Sequence, residues 1–142
     1  MATGIPFVTM EYRVRIGVYG IAVDGSDLLL TQLSARERDS GRWTLPGGGM
    51  DFGETPHETL LREFHEETGL VPSIGDVVDV ISFLPRPGLQ VIQMVFEVEA
   101  RGEPQVIEVD GSTVDARWVP KAELTTLETV FLVDHVTALR GW

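Results

Sequence analysis

Between Gly48 and Leu70 the chain reads GGMDFGETPHETLLREFHEETGL, a stretch that carries its own start and stop signals for one helix and crowds three glutamates onto it. Thr55, Pro56 and Glu58 supply an N-cap, a first helical residue with its φ preset, and the acidic third position of a capping box. Gly69 supplies the stop. On a 3.6-residue wheel Leu60, Phe64 and, to one side, Leu61 form the apolar stripe. Glu67 falls close beside Leu60, Glu63 a little further round, and Glu66 beyond it. At i, i+3 and i+4 the three carboxylates project from adjacent rows of one face, where like charges repel. A glutamate bordering a buried face loses hydration, so it must be paired, protonated or bound to a metal. The plain alternative is a solvated acidic face, ordinarily the better reading of a charge run; the wheel position and the glycines preceding the helix weigh toward a divalent cation.

The rest of the chain reads as alternating strand and helix. Tyr12 to Val23 is rich in β-branched and aromatic residues and reads as a long strand, followed by a turn at Asp24–Asp27 and a second strand, Leu28 to Leu33. Ala35 to Arg42 reads as a charged loop, and Trp43 to Leu45 as a short strand leading into the glycine-rich loop at Pro46–Gly53. Val77 to Leu84 and Leu89 to Ala100 read as strands joined by Pro85–Gly88. Val114 to Val119 reads as a further strand and Val130 to Leu139 as a closing amphipathic helix. The pattern predicts an α/β protein, a mixed sheet with helices on both faces. With 142 residues, 43% of them hydrophobic, residues 1–142 are expected to form a single domain with a sizeable core.

Composition removes several function classes. The sequence has no cysteine, so disulfides and thiolate metal sites are excluded and a metal must be held by oxygen or imidazole. His57, His65 and His135 are scattered; the first two read as exposed positions of the helix that carries the three glutamates. Net charge is −11 without a Lys/Arg cluster, which argues against a nucleic-acid polymer as partner. A small polyanion remains compatible if divalent ions mediate the contact. No long apolar run or leader-like start is seen, so no membrane association is expected and a cytoplasmic location is.

The spacing Gly48, five residues, Glu54, seven residues, Arg62, Glu63, Phe64, His65, Glu66, Glu67, Thr68, Gly69, Leu70 resembles the signature box of the Nudix hydrolases, in their MutT-like branch. All seven fixed polar and glycine positions match, a coincidence on the order of one in 10⁸ per window. Phe64 stands where the family more often has an aliphatic residue. The resemblance implies an α/β/α sandwich and a Mg2+-dependent enzyme, with Mn2+ able to substitute. Its implied metal ligands are the carbonyl of Gly47 and the carboxylates of Glu63, Glu66 and Glu67. Arg62 would hold the carboxylates in place, and Glu54 and Gly69 would be structural. Glycines at 47, 48 and 49 would let the main chain approach a phosphate with no Cβ in the way.

By the same resemblance, Glu108 is expected as an extra metal ligand or general base, with Glu103 and Asp110 as rivals in that loop. Glu63 is the first choice for base. The reaction implied is hydrolysis of a nucleoside diphosphate linked to another group, foremost a (d)NTP giving NMP and pyrophosphate. ADP-ribose or another nucleotide sugar is the alternative, and a non-catalytic nucleotide-binding sensor the third reading. Gly49 and Leu33 stand near places where some MutT proteins carry phosphate-binding lysine and arginine; Arg36, Arg38 and Arg42 are candidate substitutes or merely solvated. Pro85 lies near a marker proline of ADP-ribose pyrophosphatases and is equally a hairpin breaker. Trp43, Phe52, Phe83 and Phe96 are candidates to stack a base or to fill the core. Substrate-binding residues stay unassigned. A homodimer is compatible with the family, and the apolar N-terminal strand is its candidate surface.

Overall fold

The computed structural model describes Gly4 and residues 11–142. Its central element is β1 (Arg13–Asp24), which pairs in parallel with β6 (Leu89–Glu99) from Arg13↔Leu89 to Ala22↔Val98. β5 (Ser73–Arg86) lies antiparallel to β6 on the outside. On the other flank β1 turns into β2 (Asp27–Leu33), and β2 pairs with the short β3 (Trp43–Thr44) and with β7 (Thr113–Pro120). β4 (Gly47–Gly49) pairs antiparallel with β1 in the register Gly17↔Gly49 to Tyr19↔Gly47. One parallel ladder among antiparallel ones makes the sheet mixed, as expected.

Helices cover both faces because the strands alternate. Leu29 of β2 packs with Val18 and Ala22 of β1 against Leu60 and Phe64 of α1 (Pro56–Thr68). Its neighbours Leu28 and Leu30 pack the other way, with Ile21 and Val95, against Leu132, Val133 and Val136 of α2 (Phe131–Leu139). A period of two along the strand therefore builds two cores, and the result is an α/β/α sandwich.

Four details differ from the sequence reading. The glycines at 47–49 form strand β4 instead of a loop, since a backbone without side chains still completes the β1 ladder. Leu61 lies outside the core at 42% exposure, because Leu60 and Phe64 already fill the contact with the sheet. β5 starts at Ser73, four residues before the expected Val77. A 3₁₀ turn at Lys121–Thr126 was not anticipated. The N-terminal strand named as a candidate dimer surface is β1, which β6 flanks from Arg13 to Ala22 and which β4 and β2 flank on the other side only at Gly17–Tyr19 and Val23–Asp24.

Candidate active site

The box helix is held as its caps dictate. Thr55 accepts a hydrogen bond from the Glu58 N–H at 3.2 Å, and Gly69, in the left-handed region at φ +70°, donates to the His65 carbonyl. With Leu60 and Phe64 fully buried, the three glutamates are graded in exposure as the wheel requires. Glu67 is 2% exposed, the Glu63 side chain 15% and the Glu66 side chain 40%.

Glu67 reaches across to both neighbouring strands. Its carboxylate accepts from the Gly47 N–H at 2.7 Å, from the Thr113 hydroxyl at 2.5 Å and from the Ser112 hydroxyl at 3.4 Å. Burial pushes its carboxyl up to about 8; the bonds from Thr113 and Gly47 oppose that shift, and the charges of Glu63 and Glu108 add to it. Burial also raises Glu63, against the pull of Arg62. Tyr19, beside these carboxylates, has its phenol pushed up to about 12, first by burial and then by Glu67.

Arg62 is the organiser of the outer acids. It makes a two-pronged contact with Glu54, Nε to Oε2 at 2.9 Å and Nη2 to Oε1 at 2.8 Å, while Nη1 donates to Glu63 Oε1 at 2.9 Å. Glu66 Oε2 lies 3.7 Å from the same Nη1 and Asp51 Oδ2 lies 3.4 Å from Nη2. Nη2 also donates to the Gly49 carbonyl at 3.3 Å. Glu54 in turn accepts from the Asp51 N–H and the Thr59 hydroxyl, tying the 50–54 segment to the helix. Arg62 first, then the Asp51 N–H, holds the Glu54 carboxyl down to about 2. A planar fork suits this bridging, which a lysine ammonium would not reproduce.

The loop before β7 adds a fourth carboxylate. The Glu108 N–H donates to the Glu66 carbonyl at 3.0 Å, and Glu108 Oε1 accepts from the Thr113 N–H at 2.8 Å and from the Ser112 hydroxyl at 3.4 Å. Ser112 thus stands between Glu108 and Glu67. The rival acids lie elsewhere: Glu103 lines a surface recess with Asp24 and Asp27, and the Asp110 carbonyl accepts from Arg36.

The donor set fits a hard divalent cation. Glu67 is buried among hydrogen-bond donors with no basic side chain on it, and Arg62 is shared among Glu54, Glu63 and Glu66. Among the described residues no three acids converge into a closed cage, since Glu63 is turned toward Arg62 and Glu67 toward Gly47 and Thr113. Magnesium does not need such a cage, because it takes one or two carboxylates and completes its shell with water and substrate phosphate.

One cleft adjoins Glu63, and a second lies over β5, β6 and α2. The first, of about 760 Å³, is lined by Glu63, Gly49, Asp51 and Phe52 and by Arg13, Arg15 and Arg86. The other, of about 630 Å³ and mainly apolar, is lined by Ile81, Phe83, Gln93, Phe131 and His135 among others. Of the aromatic candidates, Trp43 and Phe96 are buried in the core, whereas Phe52 and Phe83 face the clefts. Arg36 is placed on the Asp110 carbonyl, and neither it, Arg38 nor Arg42 lines the cleft beside Glu63. The three arginines that do were missed in the sequence; the alternation Arg13-x-Arg15 at the start of a strand was their only signal.

Acidic oxygens on one capped helix, a glycine strand against them and exposed guanidinium groups nearby form the kind of site that handles a polyanion accompanied by metal. Comparison with known proteins gives the same class. The NUDIX domain family model matches residues 11–138. The chain is 34% identical over 132 residues to the "Putative 8-oxo-dGTP diphosphatase 2" of Mycobacterium tuberculosis, covering 90% of this chain and 84% of that one. It is 41% identical over 97 residues to the ADP-ribose pyrophosphatase of Methanocaldococcus jannaschii, covering 65% and 57%. The MutT protein of Methanosarcina mazei superposes with a TM-score of 0.76 at 25% identity, over 94% of this chain and 97% of that one. The match spans about half or less of the length of several other curated relatives. The chain belongs to the NUDIX family. Membership and these likenesses support hydrolase activity in general, and no helix of the described residues is long and apolar enough to cross a membrane.

Proposed function

We propose that the protein is a magnesium-dependent pyrophosphohydrolase that cleaves a nucleoside triphosphate to the monophosphate and pyrophosphate, in a cytoplasmic setting. The observation that carries this reading is the placement of Glu63, Glu66, Glu67 and Glu108 around one helical turn, beside a cleft that also presents arginines. Magnesium, held by Glu63, Glu66, Glu67 and the Gly47 carbonyl with Glu108 in reserve, would neutralise the diphosphate and acidify water.

The remaining chemistry belongs to the chain. Glu63 Oε1 is fixed by Arg62, which leaves Oε2 to take a proton from the attacking water. Glu108 is the second choice for this step. Arg62 acts by positioning, since its donors hold Glu63 and Glu54 in one orientation. The apolar cleft with Phe83 and Phe131 supplies a place for the base.

Magnesium-dependent turnover should be compared between the wild type and a Glu66→Gln, Glu67→Gln pair. Loss of metal ligands should lower kcat by more than the roughly 10–100-fold typical of residues one step removed from a metal. Unchanged activity would remove the metal-cluster reading, and absence of turnover on every nucleotide would favour a binding module. Running the reaction in 18O-water and identifying the labelled product shows which phosphorus is attacked.

A further inference from the structure

The strand register lines up three arginines that the reaction as described does not use. Cross-strand partners share a face, and here one row runs Arg13–Leu89–Arg86 across β1, β6 and β5. The next rows on that face run Arg15–Val91–Phe83 and Gly17–Gln93–Ile81. The face therefore grades from guanidinium groups at one end, where Glu63 and Gly49 line the same cleft, to the apolar cleft of Phe83, Gln93 and Ile81 at the other.

The charge distribution is what makes this grouping informative. The chain has 11 Lys and Arg against 22 Asp and Glu, so three guanidinium groups gathered in one cleft concentrate positive charge in an acidic molecule. Arg62, Arg117 and Arg140 pair with carboxylates, whereas the other Lys and Arg of the described residues make no ion pair. Arg13, Arg15 and Arg86 are exposed, line the same 760 Å³ cleft and make no ion pair among the described residues. The Arg15 guanidinium lies 3.6–3.7 Å from where a Cβ on Gly49 would be, so it reaches the edge of the glycine strand itself. Three positive groups left unpaired beside a carboxylate cluster match a ligand whose charge is negative over an extended length.

We propose that Arg13, Arg15 and Arg86 form a seat for the terminal phosphoryl group of the substrate, beyond the diphosphate that lies at the carboxylates. This rests on the hydrolase reading above and sharpens it. A triphosphate presents a multiply charged end to the three guanidinium groups, whereas ADP-ribose presents an uncharged ribose there. The seat is thus a specificity determinant, selecting substrates by charge at the far end.

The test is the ratio of kcat/KM for a nucleoside triphosphate to that for ADP-ribose, with magnesium, in the wild type and in an Arg13→Gln, Arg15→Gln, Arg86→Gln variant. The ratio should fall by about tenfold or more in the variant, the effect of at least one lost hydrogen bond between charged groups. An unchanged ratio overturns the seat while leaving the hydrolase reading intact. If the wild type turns over neither compound, that reading fails by itself, and the seat is judged by calorimetry with magnesium and inorganic tripolyphosphate or pyrophosphate. Wild-type protein should bind tripolyphosphate about tenfold more tightly than pyrophosphate, and the variant should lose that preference. Equal binding of the two anions by the wild type overturns the proposal, and so does a preference that persists in the variant.

Discussion

Gly48 leaves no room for a side chain, because a Cβ there would lie 2.6 Å from the Glu63 carboxyl carbon. Gly47 is closed for a different reason: its Cβ would lie 2.1 Å from the Val18 carbonyl oxygen, and its φ is +145°. The two replacements should therefore fail differently. Gly48→Ala pushes aside a side chain, so the protein should fold while kcat falls on the order of 100-fold through misplacement of Glu63. Gly47→Ala pushes on backbone and should cost about 1–3 kcal/mol of stability or more. Thermal melts beside steady-state kinetics separate the two, and a Gly48→Ala enzyme with wild-type kcat would show that Glu63 need not pack on the glycine. At this scale the residue types were legible in the sequence, but the contacts that require them were not, since they join positions 15 apart (Gly48 and Glu63) and 29 apart (Gly47 and Val18) in the chain.

α1 owes its place to one buried side chain more than to its own propensity. Phe64 is fully buried between Leu60 and the sheet residues Val18, Leu29 and Val98. Phe64→Ala should cost about 3–5 kcal/mol, read from the urea midpoint, because the cavity cannot close against a sheet fixed on its other face. Activity should fall with it, as all three box glutamates ride on that helix. The extent of α1 could be read in advance from Thr55, Pro56 and Gly69, whose capping roles are local. β4 could not, since three glycines carry no alternation, and only the backbone of β1 decides that they pair. Leu61 likewise passes for a core position on the wheel, until Leu60 and Phe64 take the available contact.

Glu67 joins elements that are far apart in sequence, α1, β4 and β7, through Gly47 and Thr113, and so makes the whole molecule sensitive to pH. Its folded-state value of about 8 lies above its ordinary 4.5. A group raised in this way contributes stability that is fully present below 4.5 and is lost as pH rises through 8. With a chelator present, Tm should therefore decline from pH 5 toward pH 8 to 9, and Glu67→Gln should flatten that decline. Adding magnesium at the alkaline end should restore Tm in the wild type, because the proposed site would hold the cation on the deprotonated carboxylates. A Tm independent of pH across this range in the chelated protein would show that Glu67 is not held in a site that disfavours its charge.

The sequence by itself determined the box helix, its caps, the graded depth of Glu63, Glu66 and Glu67 and the α/β class, because these depend on short-range spacing and on periodicity. Tertiary structure alone decided that Glu108, not Glu103 or Asp110, shares Ser112 with Glu67, since a loop register is fixed only by what it packs against. It also decided that Arg13, Arg15 and Arg86 meet in one cleft. Arg13 and Arg86 are brought together only by the pairing of β1 and β5 with the strand between them, and that pairing comes from the hydrophobic closure of the whole sheet.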